Sequence, residues 1–305
     1  MNTKTRYKAA LRSVVIAGML LVLVTTTAPV PAFGTVSPDL SLPNLTATSR
    51  ALGTCYRILF DETHGTSFAY TVGADYDELA ALLADGGHSV AVLQDPAPFV
   101  YATLSQYDVL ALVLPKEAYS AGEKAAIQQF VTNGGRLVTI SDHGGSLGSQ
   151  HTILNEIHTY LGDGLQHNAD AVYDPTNNQD GKASWPLIHT FSADPVNQGL
   201  GTIVEYSAAS VQVTAPGLGT AFGDDDTYTQ APTRATGAGE MDPDLAPEPV
   251  PSDGIATAGQ PAADPVVVQA MASVGAGDVF ALGDAGLFSS KDTDGNGTSN
   301  LMEYH

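Results

Sequence analysis

From residue 57 onward, short apolar runs alternate with stretches of helical spacing. Arg57–Asp61 (RILFD) reads as a buried strand. Residues 75–85 place Leu79, Leu82 and Leu83 on one helical face, and Gly86-Gly87 ends that helix. Ser89–Leu93 and residues 108–114 (DVLALVL) are further strands. Ser120 with Glu123 is a capping box, because each can satisfy a free amide of the other's backbone. It opens a helix whose apolar face carries Ile127, Phe130 and Val131, and Gly134-Gly135 closes it. Arg136–Ile140 is a fourth strand, and residues 152–161 form a helix with Leu154, Ile157 and Leu161 on one face. Near-continuous apolar strands separated by helices predict a mostly parallel sheet covered on both faces. Crossovers this short predict a flavodoxin-like, doubly wound α/β fold.

Later strands at 202–206, 211–214, 265–274 and 278–282 finish the sheet or form a side sheet. Between them, residues 223–264 begin with Asp224-Asp225-Asp226 and hold almost no large apolar side chain. Such a stretch cannot bury enough surface to order itself, so it is expected to be a flexible acidic insertion within one domain, 55–290.

The start of the chain has a different character. Lys4, Arg6, Lys8 and Arg12 precede the apolar run at 14–24, and a small-residue exit ends at Ala32. That order describes a secretory signal peptide over 1–32, with an uncleaved anchor as the alternative. The run is short for a membrane span, which needs about 20 residues. Residues 33–54 read as a linker containing the glycosylation sequon Asn44-Leu45-Thr46. The 305 residues carry 12 basic and 33 acidic side chains, a net charge of −21. Removing the leader's four basic residues leaves 8 against 33, or −25. This sign argues against nucleic acid or an anionic membrane as partner. Cys55 is the single cysteine, so no internal disulfide or multi-cysteine zinc site exists.

The runs ILFDETHG (58–65), LADGGHSVAVL (83–93), YDVLALVLP (107–115), FVTNGGRLVTISDHGG (130–145), VYDPTNN (172–178) and GAGDVFALGDAGLF (275–288) together resemble the class I glutamine-amidotransferase-like superfamily. They are most similar to its secreted, non-catalytic branch, whose relatives include domains of an intraflagellar transport protein and of gliding-motility auxiliary proteins. The resemblance implies a flavodoxin-like sheet and no particular activity. Active members carry a cysteine on the turn after the fourth strand. Here that turn reads Ser141-Asp142-His143-Gly144-Gly145. Related domains end with an apolar helix after the GDAGLF-like strand; this chain reaches His305 where that helix would begin, which implies a shortened domain.

Two constellations offer chemistry. Residues 292–303 match an EF-hand or dockerin-like calcium loop, with Asp292, Asp294, Asn296, Thr298, Asn300 and Glu303 at the ligand positions and Gly297 at the sharp turn. Calcium is a hard cation that takes six to eight oxygens, and this spacing supplies them at the weak affinity of extracellular modules. The second is the C-terminal edge of the strands, where doubly wound sheets bind ligands. Asp61, His64, Ser141, Asp142, His143 and Asp284 fall there. They could converge as a metal-assisted or Ser-His-Asp hydrolytic site, or serve as loop-fixing polar groups at an ordinary rim. His151 and His158 share a helix face two turns apart, which favours packing over a shared metal. Asp174-Pro175-Thr176-Asn177-Asn178 is a turn. The expected function is a secreted ligand-binding or assembly module for an unidentified protein or carbohydrate, with a calcium loop; the alternative is a secreted, metal-assisted hydrolase.

Overall fold

The structure, a computed structural model, describes residues 55–144, 149–230 and 265–303. The expected leader, the linker and residues 231–264 lie outside them. The described chain runs β1 (Arg57–Asp61), α1 (Asp77–Asp85), β2 (Ser89–Leu93), α2 (Tyr101–Leu104), β3 (Val109–Val113), α3 (Ala121–Thr132), β4 (Arg136–Ile140) and α4 (Gln150–Leu161). Short strands follow: β5 (Leu165–His167), β6 (Ala171–Tyr173), β7 (Leu187–Ile188), β8 (Thr190–Phe191), β9 (Ile203–Val204), β10 (Val211–Val213), β11 (Leu218–Phe222) and β12 (Tyr228–Gln230). Then come β13 (Val267–Val274), β14 (Gly277–Leu282) and the short helix α5 (Asn300–Glu303).

One eight-stranded sheet has the order β2-β1-β3-β4-β14-β13-β11-β8. The first five strands are parallel, with β14 in the fifth place beside β4. That is the flavodoxin-like order, with its switch point between β1 and β3. β13, β11 and β8 extend the sheet in antiparallel fashion. Of the later predicted strands, those at 265–274 and 278–282 enter this sheet. Those at 202–206 and 211–214 pair separately, as β9 with β7 and β10 with β5.

Apolar residues alternate across the sheet. Ile58, Phe60, Val109, Ala111, Val138 and Phe280 pack on one face with Leu79 and Leu83 of α1. Leu59, Leu110, Leu112, Leu137 and Val279 pack on the other with Ile127 and Phe130 of α3 and with Leu154 and Ile157 of α4. Both faces are covered, which is why the strands show almost no polar alternation. The capping box at Ser120 and Glu123 forms in both directions.

Two local expectations are corrected. The acidic stretch predicted to be flexible from 223 starts as ordered chain. Residues 228–230 pair with β6, Tyr228 stacks on Tyr173 at 5.5 Å between centroids, and Thr227 is buried. Two aromatic rings and one hydroxyl suffice to anchor what its acidity alone would leave loose. The helix expected at 152 begins at Gln150, because Gln150 and His151 both donate to the Asp142 carbonyl and draw the first turn back toward β4.

Candidate functional site

The six residues predicted from strand ends all reach the C-terminal edge of the parallel sheet, but they separate into closed groups. At the end of β1, Asp61 Oδ1 accepts from the Thr63 amide at 3.0 Å and hydroxyl at 2.6 Å. Its Oδ2 accepts from Tyr119 Oη at 2.7 Å and meets His64 Nδ1 at 2.8 Å. The His64 ring stacks on Tyr119 at 3.8 Å, and its Nε2 lies 3.5 Å from Glu123. Burial opposes charge on both partners, yet the hydrogen bonds outweigh it. The Asp61 pKa falls under the bonds from His64, Thr63 and Tyr119. The His64 pKa rises through Asp61 and Glu123. The imidazole thus lies between two carboxylates, with neither Asp61 oxygen free.

At the end of β4, Asp142 Oδ1 accepts from the His143 amide at 2.8 Å and meets its Nδ1 at 2.7 Å. His143 is the one predicted residue of the six that is not buried. Ser141 turns inward instead. Its hydroxyl meets His167 Nδ1 at 2.8 Å, and His167 Nε2 meets Thr139 Oγ1 at 3.0 Å. Thr139 Oγ1 reaches His158 Nε2 at 3.1 Å, and His158 Nδ1 reaches Asp163 at 2.7 Å. One set of tautomers satisfies every member in a single direction, from the Ser141 hydroxyl to the Asp163 carboxylate. Burial holds His167 far below the usual imidazole range, so it is neutral. A serine–histidine–aspartate chain therefore exists, but all five side chains are sealed between β4, β5 and α4. Sequence reading missed it because its histidines lie on a helix face and a short strand that only packing brings to Ser141.

At the end of β14, Asp284 is fully buried and accepts from the backbone amides of Tyr206 and Gly286. Its carboxyl is pushed well up by burial and by the charges of Glu205 and Asp142. Glu205 is its partner and is pushed up to about 8 by burial, against the hydrogen bonds of Gln269 and Asp284. Glu205 Oε2 meets no other protein donor or acceptor, while both Asp284 oxygens are already taken by amides. A proton carried on Glu205 and bonded to Asp284 satisfies both groups. Glu205 sits in the plain apolar run TIVEY, where no spacing marks it.

A separate acidic trio lies on the loops beyond the sheet edge. Asp174, Asp224 and Asp226 place carboxylate oxygens within 4.8 Å of one another. Among the described residues no other three His, Cys, Asp or Glu side chains come so close. Asp61, His64 and His143 are not brought to one such point. In the trio, burial and the two neighbouring carboxylates raise the Asp174 pKa. Thr176, Asn177 and Thr227 donate into the cluster. The predicted turn at Asp174 is formed, with Asp174 Oδ1 accepting from the amides of Thr176 and Asn177.

The 292–303 loop wraps on itself. The Gly297 amide donates to Asp292 Oδ2 at 2.8 Å, that of Asn296 to Asp294 Oδ1 at 3.1 Å, and that of Thr298 to Asn296 Oδ1 at 2.8 Å. Gly295 and Gly297 take φ of 76° and 88°, which glycine adopts without strain. The carboxamide of Asn300 is turned away and buried, bonded to Gly286 and Thr293. Asp292, Asp294 and Asn296 present the kind of oxygen atoms a hard cation takes, while the Asn300 carboxamide is spent on Gly286 and Thr293. The backbone of Glu303 lies in α5.

No protein-family profile matches the chain, and no curated protein does. Solved structures do. The mmIFT52 N-terminal domain aligns with a TM-score of 0.57 at 16% identity, over 81% of this chain and 92% of its own. A ThuA-like protein from Bacteroides uniformis aligns at 0.44 and 14% identity, over 81% of this chain and 86% of its own. A cytoplasmic protein from Salmonella typhimurium aligns at 0.45 and 12%, over 75% and 87%. The first shows a shared doubly wound fold and nothing of chemistry. The other two are too distant to carry an argument.

Proposed function

We propose that this chain is a secreted, non-catalytic ligand-binding or assembly module of the glutamine-amidotransferase-like fold, with calcium bound at 292–303. What supports the non-catalytic reading is the closure of the strand-end rim. Asp61 and His64 are bonded to each other, Asp142 holds His143, Asp284 accepts two backbone amides, and Ser141 is sealed on His167. The turn that carries a cysteine in active members carries Asp142 here. The basic leader and apolar run support secretion. The net charge of −21 disfavours nucleic acid as the partner and leaves protein or carbohydrate.

Asp292, Asp294, Asn296, the Thr298 carbonyl and Glu303 would hold the calcium, which supplies a fixed turn ahead of α5 and no chemistry. Calorimetry on the secreted form is the test. Calcium heat at a Kd of about 10⁻⁴–10⁻³ M, lost in Asp292→Ala with Glu303→Ala, is expected; an identical heat in that double variant refutes the site. An activity screen on amide, ester and glycoside substrates is expected to be blank. Turnover that disappears in Asp142→Asn or His143→Gln would install the hydrolase reading in its place.

A further inference from the structure

The 292–303 loop is fastened on both sides to the segment between β1 and α1. Just before its first ligand position, the Ser290 amide donates to the Asp75 carbonyl at 2.7 Å, and Lys291 Nζ pairs with Asp75 Oδ2 at 2.9 Å. The Lys291 ammonium also lies 4.6 Å from the Tyr70 ring centroid and 6.0 Å from that of Phe68. Further along the loop, the Ser299 hydroxyl donates to Glu78 Oε2 in the first turn of α1 at 2.5 Å. Leu301 is buried in the same core as Tyr76, whose hydroxyl donates to the Ala285 carbonyl at 2.9 Å. Phe68 holds a φ of 56°, a region that bulky residues rarely adopt, and its side chain is half exposed. Its ring meets Tyr70 edge-on at 6.2 Å between centroids, with Lys291 beside both.

We propose that calcium bound at 292–303 locks residues 68–78 at the strand-end rim and so fixes the exposed Phe68 ring; this rests on the calcium reading given above. A loop of the EF-hand type brings its first and last ligand positions to one point. Without a cation its carboxylates repel one another. A cation that gathers them therefore fixes Ser290 and Lys291 relative to Ser299 and Leu301. Those residues grip Asp75 and Glu78, so the order passes to the segment between β1 and α1. An exposed ion pair such as Lys291 with Asp75 holds weakly by itself. Fixing both sides of the loop makes several weak contacts act together. A strained residue keeps its conformation only where its surroundings hold it, and Lys291 is part of what surrounds Phe68. The segment follows β1 at the edge where doubly wound sheets bind ligands, so calcium would set the shape of that rim from outside it. The competing explanation is that the core alone holds the segment, through Tyr76 and Leu301.

The experiment measures amide hydrogen exchange in the full chain by mass spectrometry, with calcium or with a chelator, beside calorimetry of calcium on the same sample. Openings that break the site are suppressed by the factor 1 + [Ca²⁺]/Kd, so about 10 mM calcium slows exchange at 68–78 by about 10–100-fold, as it does at 289–303. Exchange in α2, the reference, stays unchanged. Lys291→Met with Ser299→Ala leaves every ligand position in place. Its calcium heat persists, while the slowing at 68–78 drops by about 10-fold. Calcium heat with slowing confined to 289–303, or with equal slowing in α2, sinks the lock and leaves the calcium site standing. Slowing at 68–78 that survives the double variant assigns the hold to Tyr76 and Leu301 and sinks it too. No calcium heat in the wild type overturns the site and the lock together. The wild-type comparison decides the matter even where the variant does not fold.

Discussion

Glu205→Gln is expected to stabilise the fold, and to do so only above the ordinary carboxylate range. Glu205 is fully buried and titrates at about 8, against an ordinary 4.5. The folded state keeps a proton that the unfolded chain releases. The contribution of a group raised in this way is full below pH 4.5 and is lost as pH rises through about 8. Each pH unit in that window costs about 1.4 kcal/mol, so near pH 7 the wild type forgoes roughly 3 kcal/mol. Glutamine has the same shape, carries no titrating proton, and offers an N–H to Asp284 and an acceptor to Gln269. Urea denaturation near pH 5 is expected to show little difference between variant and wild type. Near pH 7.5 the variant gains about 2–4 kcal/mol, with the m-value unchanged. A gain of equal size at both pH values, or none at either, would falsify the shared proton.

His64→Gln is expected to act in the opposite direction, with a cost of about 1–3 kcal/mol near pH 6. The His64 contribution is full below its ordinary 6.5 and fades as pH rises through its raised value, while that of Asp61 fades as pH falls through its lowered one. The gap between variant and wild type, read from urea midpoints, therefore narrows as pH rises through the raised His64 value, and a gap constant with pH refutes the charged pair. Gly283→Ala is expected to lower stability by about 1–3 kcal/mol or more, because its Cβ would sit 1.9 Å from the Ala209 carbonyl oxygen and force β14 from the segment beside it. Thermal melting checks this, and an unchanged midpoint shows that the contact relaxes freely.

Much of the parallel half was legible because its signals are local. Strands such as Val109–Val113 are apolar throughout, and the capping box and Gly-Gly stops mark helix ends within a few residues. The antiparallel additions were less so: two-residue strands such as Ile203–Val204 have no period to read. The strand-end acids were found by position, since a doubly wound sheet gathers them at one edge. Their pairings were not. Glu205 was missed because it lies in an apolar run, and Asp174 meets Asp224 and Asp226 across about 50 residues of chain.

The sequence alone determined the layers and the parallel core, since each depends on residues a few positions apart. Only the tertiary structure decided which polar groups remain available. Whether a carboxylate is open to a ligand, bonded to a histidine or sharing a proton depends on distances of a few ångströms between segments remote in the chain. At the strand ends those distances close the Asp61–His64 and Glu205–Asp284 pairs.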